Sequence, residues 1–224
     1  MKNFHITVPA NLITNPDIDD FTVATYVFLR MTKSYESLNS FSLFHFFSVI
    51  NKKENANNKK TLLNALSVLD IDGRIKLLKV SNGITYEISN HFCDDKQFVA
   101  IKTGELKQIF NIGDLFTLRL FLFIKLKMIK GLYFQSFTSL GRLFDKDKKY
   151  IKKQCNLLQS LGLIGNVRFT SSYKKRNKTN FVRFHIFSDM SYGDWEARAD
   201  SYAVKLREKK SNLSNYSEDE LELW

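Results

Sequence analysis

The sequence predicts an α+β protein, mainly helical with small β wings, built as two tandem copies of one unit plus a C-terminal helix. Three observations carry that reading. FHITVPANL (Phe4–Leu12) recurs as FVAIKTGEL (Phe98–Leu106), 94 residues further on, and self-similarity at a long period marks a repeated structural unit. Each copy then runs through apolar segments of helical spacing and closes in two strand-like runs around a polar turn. The excess of basic residues, finally, is confined to one copy.

In the first copy an extended arm, Phe4–Leu12, meets the polar break NPDIDD and then the apolar run FTVATYVFLRM, with Asp20 placed as the helix N-cap. SFSLFHFF (Ser40–Phe47) opens a short helix on a serine, and KKTLLNALSVLDI (Lys59–Ile71) is the third helix. IKLLKV and ITYEIS form a hairpin around SNG, where Gly83 offers the positive φ that a tight turn needs. The second copy repeats this order. FNIGDL places Asp114 as a cap, and LFTLRLFLFIKLKMI (Leu115–Ile129) is the first long helix. SFTSLGRLF (Ser136–Phe144) opens the short helix, and Asp147 is available to cap IKKQCNLLQSLGLI (Ile151–Ile164). NVRFT and NFVRFHIF close the copy around SSYKKRNKT. In this alignment Leu66 and Leu69 stand in register with Leu158 and Leu161. The resulting domains are 1–93 and 94–187, followed by a helix over 188–210 and an acidic, Ser/Asn-rich tail over 211–224 whose composition predicts disorder.

Hydrophobic residues at 44% and charged residues at 25% are ordinary globular values and exclude wholesale disorder. The run Leu115–Ile129 contains Arg119, Lys125 and Lys127. It is too short and too charged for a membrane span of about 20 apolar residues, and reads as a buried helix. The opening MKNFHITVPANLITNPD lacks the apolar stretch of a signal peptide. Cys93 and Cys155 are far apart and without CxxC spacing, which argues against disulfides or zinc and fits a reducing bacterial cytoplasm. Neither GxxxxGK[ST] nor GxGxxG occurs, and His5, His45, His91 and His185 form no metal-binding pattern. No catalytic residue, cofactor or metal ligand is therefore assigned, and a non-enzymatic protein is expected.

Charge is the informative part of the composition. Residues 1–93 hold 10 Lys/Arg against 8 Asp/Glu, residues 94–187 hold 19 against 6, and residues 188–224 hold 5 against 9. A basic excess concentrated in one domain points to a polyanionic partner, with nucleic acid the leading candidate and a membrane surface, or charge that serves no partner, the alternatives.

SFTSLGRLFDKDKKYIKKQCNLLQSLGLI resembles the helix-turn-helix of winged-helix proteins: a Ser-led short helix, a polar turn, and a helix ending in leucines. VPANLITNPDIDDFTVATYVFLRM is similar to the opening of plasmid and phage replication initiators of the replisome-organiser type, where an extended arm leads into the first helix. The resemblance spans both copies. It implies two tandem winged-helix domains, sequence-specific binding of double-stranded DNA, and initiation of replication for a plasmid, phage or mobile element. A transcriptional repressor or conjugation regulator would use the same surface, and some winged-helix domains act instead as protein–protein adaptors.

At 100° per residue, Ile151, Cys155, Leu158 and Leu161 form one apolar stripe, with Leu157 and Tyr150 at its edge. Lys149, Lys152, Lys153 and Asn156 lie opposite, flanked by Gln159, and Lys148 precedes them. Like charges so spaced cost a helix a few tenths of a kcal/mol, a penalty a polyanion removes. Asn suits a two-point contact to adenine, and Lys suits guanine or a phosphate. The second hairpin adds Lys174, Lys175, Arg176 and Lys178; the first copy offers Lys59, Lys60 and Asn64 with Ser67. After residue 187, Trp195 and Tyr202 follow helical spacing and read either as packing back on the second domain or as a homodimer contact. Leu221, Leu223 and Trp224, among Glu218, Asp219, Glu220 and Glu222, read either as a segment that docks on another protein, such as a host replication protein, or as a frayed chain end.

Overall fold

The computed structural model describes residues 5–32, 38–80, 83–88, 97–128, 133–171 and 179–186. The protein is α+β and packs as two compact units, Met1–Met128 and Ile129–Trp224.

Unit one starts with β1 (His5–Pro9), the short α1 (Ala10–Thr14) and α2 (Asp20–Thr32). Next come β2 (Leu38–Phe41), α3 (Leu43–Val49), α4 (Ala56–Ile71) and the hairpin of β3 (Ile75–Val80) and β4 (Ile84–Ile88). It closes with β5 (Phe98–Lys102), α5 (Thr103–Ile112) and α6 (Leu115–Lys127). Its centre is α2, buried continuously from Thr22 to Leu29, and α6, buried from Leu115 to Ile124. A helix apolar on all sides can only be stable when surrounded, and α2 packs against both α4 and α6. Phe28, Phe41, Phe46 and Phe47 form an edge-to-face aromatic cluster, with Phe28 4.9 Å from Phe46 and 5.0 Å from Phe41. Tyr86 joins it from β4 and donates its hydroxyl to the Leu29 carbonyl at 3.0 Å; burial raises its pKa.

Within the apolar α6, Arg119 is only 6% exposed. Its guanidinium donates to the carbonyls of Ile13 (2.9 Å), Asn15 (2.5 Å) and Ile18 (2.6 Å) and reaches the Asp20 carboxylate at 3.3 Å. The α1–α2 connection is thus fastened to α6 by one side chain that satisfies otherwise buried carbonyls. Only a planar, multi-donor head can do this at several points at once.

The arms pair with each other: β1 and β5 form an antiparallel two-stranded sheet. With His5–Pro9 set on Phe98–Lys102, their burial agrees at the first four positions and differs at the last, where Pro9 is buried and Lys102 half-buried. That match moves the sequence alignment by one residue, from an offset of 94 to 93, and in it Thr7 lies opposite its own counterpart, Ala100, and Val8 opposite Val99. The equivalent helices α2 and α6 also pack together. Equivalent elements meeting across a common centre is the pattern of an isologous interface, here within one chain.

Unit two consists of β6 (Tyr133–Gln135), α7 (Phe137–Phe144), α8 (Lys148–Ser160), β7 (Ile164–Ser171) and β8 (Thr179–Ile186). Its sheet runs β6-β8-β7, the same order and sense as β2-β4-β3 in unit one. The predicted succession of elements is therefore present twice.

Several details differ from the sequence-based expectation. The repeat joins at 93/94, whereas the compact units part at 128/129, because β5 pairs with β1 and α6 packs on α1 and α2. Part of each arm is helical, as α1 and α5; in α5 the Glu105 carboxylate accepts the Lys102 backbone N–H at 2.8 Å and Gly113 ends the helix at φ +73°. Each hairpin gains a third strand, β2 or β6, just before the serine-capped short helix, so the sheets are three-stranded. The cap of α2 is Asp19, which accepts the Thr22 N–H at 2.6 Å, while Asp20 faces Arg119. Gly83 does not adopt a left-handed conformation; it lets β2 come close, since a Cβ there would lie 3.3 Å from the Phe41 carbonyl oxygen. The expected helix over 188–210 and tail over 211–224 lie outside the described residues.

Arg119→Ala is expected to destabilise the protein by about 3–5 kcal/mol, because it strands buried carbonyls and the Asp20 carboxylate. Arg119→Lys, which keeps the charge and loses the fork, should recover only part of this. Urea unfolding followed by circular dichroism measures both, and a loss below about 1 kcal/mol for the alanine variant would contradict the clamp.

Candidate nucleic-acid interface

In unit two the chain makes a short helix, a tight turn and a longer helix, and each junction has a local cause. Ser136 caps α7 by accepting the Ser139 N–H at 3.0 Å. Asp145, left-handed at φ 50°, turns the chain, and Asp147 caps α8 by accepting the Lys149 N–H at 2.6 Å, as the sequence predicts. Only one residue separates the left-handed Asp145 from the cap Asp147, against three between Asn51 and Asn55 in unit one. The tighter turn brings the Lys146 carbonyl oxygen to 2.5 Å from where a Cβ on residue 141 would sit, so glycine is required there.

On α8, Ile151, Cys155 and Leu158 are fully buried, as predicted. Gln154 joins them at 2% exposure, while Leu161, expected in the stripe, follows the helix end and is half-buried. Hydrophobic periodicity passes over a glutamine, which explains why Gln154 is not seen in the sequence pattern. The opposite side carries Lys148, Lys149, Lys152, Lys153 and Asn156, all exposed. None of the four lysines has an ion-pair partner among the described residues. Arg142 and Lys146 add exposed positive charge beside the turn. The acids nearby are Asp145 and Asp147. The result is a convex cationic face with the N-terminal end of a helix at its edge, a surface that attracts phosphates and carries an amide among the lysines.

The counterpart in unit one uses the same frame with different chemistry. Ser42 caps α3, Asn51 is left-handed at φ 53°, and Asn55 caps α4 through the Asn58 N–H at 2.8 Å. The helices α4 and α8 match through their ends: Gly73 and Gly162 are both at φ +68°, and Arg74 and Leu163 bond back to the Leu69 and Leu158 carbonyls. Leu62, Ala65, Leu66 and Leu69 then overlay on Ile151, Gln154, Cys155 and Leu158. This register corrects the pairing of Leu66 with Leu158 by three residues, because α4 is 16 residues long and α8 is 13. Lys60 and Asn64 are exposed, whereas Lys59 is engaged with Glu54 at 2.8 Å.

Lys174, Lys175, Arg176 and Lys178 fall between the paired residues Ser171 and Thr179 and lie outside the described residues, as do Trp195, Tyr202, Leu221, Leu223 and Trp224. Among the described residues no group of three or more His, Cys, Asp or Glu could hold a metal ion, and no helix is long and apolar enough to cross a membrane.

Two outcomes are expected. Gly141→Ala should weaken unit two by about 1–3 kcal/mol through overpacking, read as faster amide hydrogen exchange across α7 and α8. Burial pushes the Cys155 thiol from 9.0 up to about 12. Its raised value means that the contribution of this site to stability is complete below about pH 9 and is lost as the pH climbs toward 12. In a Cys93→Ser background, a thiol reagent at pH 8 should leave folded Cys155 unmodified and label it on addition of urea; rapid labelling of the folded protein would contradict the burial.

No protein-family model matches this chain, and no curated protein matches it at a significant level.

Proposed function

We propose that this protein is a non-enzymatic, sequence-specific binder of double-stranded DNA built from two tandem winged-helix domains. The observation that carries the reading is the division of α8 into a buried stripe of Ile151, Cys155 and Leu158 and an exposed face of Lys148, Lys149, Lys152, Lys153 and Asn156. The order of elements supports the reading, since α8 follows a short capped helix and a tight turn and precedes an antiparallel hairpin, the order expected for the third helix of a winged helix. Such a helix enters the major groove with its exposed side chains toward the bases. The sheet order, with the strand preceding the short helix at one edge and the last strand central, agrees with that topology. In the sequence a basic segment lies between β7 and β8, as the wing of a winged helix does.

The process served is initiation of replication of a plasmid, phage or mobile element, a reading supported by the tandem arrangement and by the resemblance of the N-terminal arm to such initiators. A footprint on the DNA flanking the gene separates this from promoter control: iterated sites within an origin support replication, and one operator over a promoter supports repression.

Replacing Lys152, Lys153 and Asn156 together by alanine should weaken binding to the footprinted site at least about tenfold. Loss of the lysines should also flatten the dependence of log affinity on log salt by about 0.9 for each phosphate contact removed. Titration of a labelled duplex at several salt concentrations measures both. Unchanged affinity and slope would remove α8 from the interface.

A further inference from the structure

The exposed face of α4 corresponds position by position to the lysine face of α8, yet it is built from other chemistry. With the helices matched on their buried residues, Lys149, Lys152, Lys153 and Asn156 overlay on Lys60, Leu63, Asn64 and Ser67. All eight are exposed. Where α8 presents lysines, α4 presents one cation, an apolar branched side chain that is 41% exposed, an amide and a hydroxyl. The neighbouring charges are already engaged: Lys59 pairs with Glu54 at 2.8 Å, and Asp70 accepts the Leu77 N–H at 2.9 Å. The side chains of Asn64 and Ser67 make no hydrogen bond among the described residues.

We infer that α4 is the base-reading helix of this protein, recognising A·T pairs in the major groove, while the lysines of α8 supply phosphate contacts. The inference rests on the DNA-binding reading above and goes beyond it by assigning specificity to the less basic copy. Asn64 offers the donor and acceptor that adenine N7 and N6 require, and Leu63 offers an apolar surface to the thymine methyl. Together they match the two halves of an A·T pair, and Leu63 has no polar group to offer the backbone. Lys60 positions the helix on a phosphate, and Ser67 is able to bond either base.

A protein partner fits this face less well. Docking faces are anchored by Trp, Tyr or Arg, and ANNKKTLLNALSVLDI contains none of them. The frame around α4 also favours DNA, because its capped short helix, left-handed turn residue and capped third helix repeat those of α8.

The test uses the full-length protein and a duplex selected by it from a randomised pool. Selection should enrich A·T pairs. Asn64→Ala should lower the ratio of affinities for selected and random duplex by about tenfold, the effect of one lost two-point base contact, with the salt dependence unchanged. Replacing thymines of the selected site by deoxyuridine, which removes only the methyl group, should weaken the wild type and leave Leu63→Ala unaffected. Both residues are exposed, so thermal melting should confirm that the variants remain folded. If both variants keep the wild-type ratio and deoxyuridine has no effect, α4 does not read bases and this assignment fails, whatever α8 does. If the wild type retains no duplex from the pool even at low salt, the DNA-binding reading falls as well.

Discussion

Arg119 sits in the buried stretch Leu115–Ile124, otherwise made of Leu, Phe, Thr and Ile, and its guanidinium gathers the carbonyls of Ile13, Asn15 and Ile18 with the carboxylate of Asp20. Burying a charge is costly unless its donors are satisfied. Here they are satisfied by the backbone of the α1–α2 connection, a segment that would otherwise carry unpaired carbonyls. The clamp joins residues about a hundred positions apart and sets where α2 begins. From α2 the rest of the first unit follows: the aromatic cluster around Phe28, the packing of α4, and the sheet held by Tyr86.

The β1–β5 ribbon and the α2–α6 contact explain why the unit of packing differs from the unit of repetition. Each arm strand has only a few inward-facing apolar residues, Ile6 and Val8 in one and Val99 and Ile101 in the other. Five-residue strands of this kind are marginal alone. Paired antiparallel about Thr7 and Ala100, they give one another backbone partners and place both apolar sets on a common core. The first long helices of the two copies meet in the same way.

Repetition of the frame has been accompanied by divergence of the exposed faces. The buried positions of α4 and α8 follow one pattern because each helix must close a small domain core, and that demand tolerates even Ala65 against Gln154. The exposed positions are under no such demand. One helix has a field of lysines, and the other a mixed polar and apolar face with a single unpaired cation among its described residues, Lys60. In the proposed reading the first contributes affinity that salt screens and the second contributes discrimination that salt leaves largely intact.

The sequence by itself determined the succession of long helices and hairpins, the caps Asp114 and Asp147, the buried long helices and the lysine face of α8. Each of these depends on local rules: periodicity, capping chemistry and the exclusion of charge from a core. What only the tertiary structure decided were matters of distant partnership. Arg119 reads in sequence as an interruption of an apolar run, and its carbonyl partners lie on another segment. The strands β2 and β6 are too short for alternation to announce, and they exist because β4 and β8 offer them an edge. The true register of α4 on α8 is set by where each helix ends against its sheet, and low similarity in the repeat left it three residues out. Lys59 looked free until the fold brought Glu54 to it. Local chemistry is written along the chain, whereas the choice among distant partners depends on the energy of the whole packed unit, which no window of sequence contains.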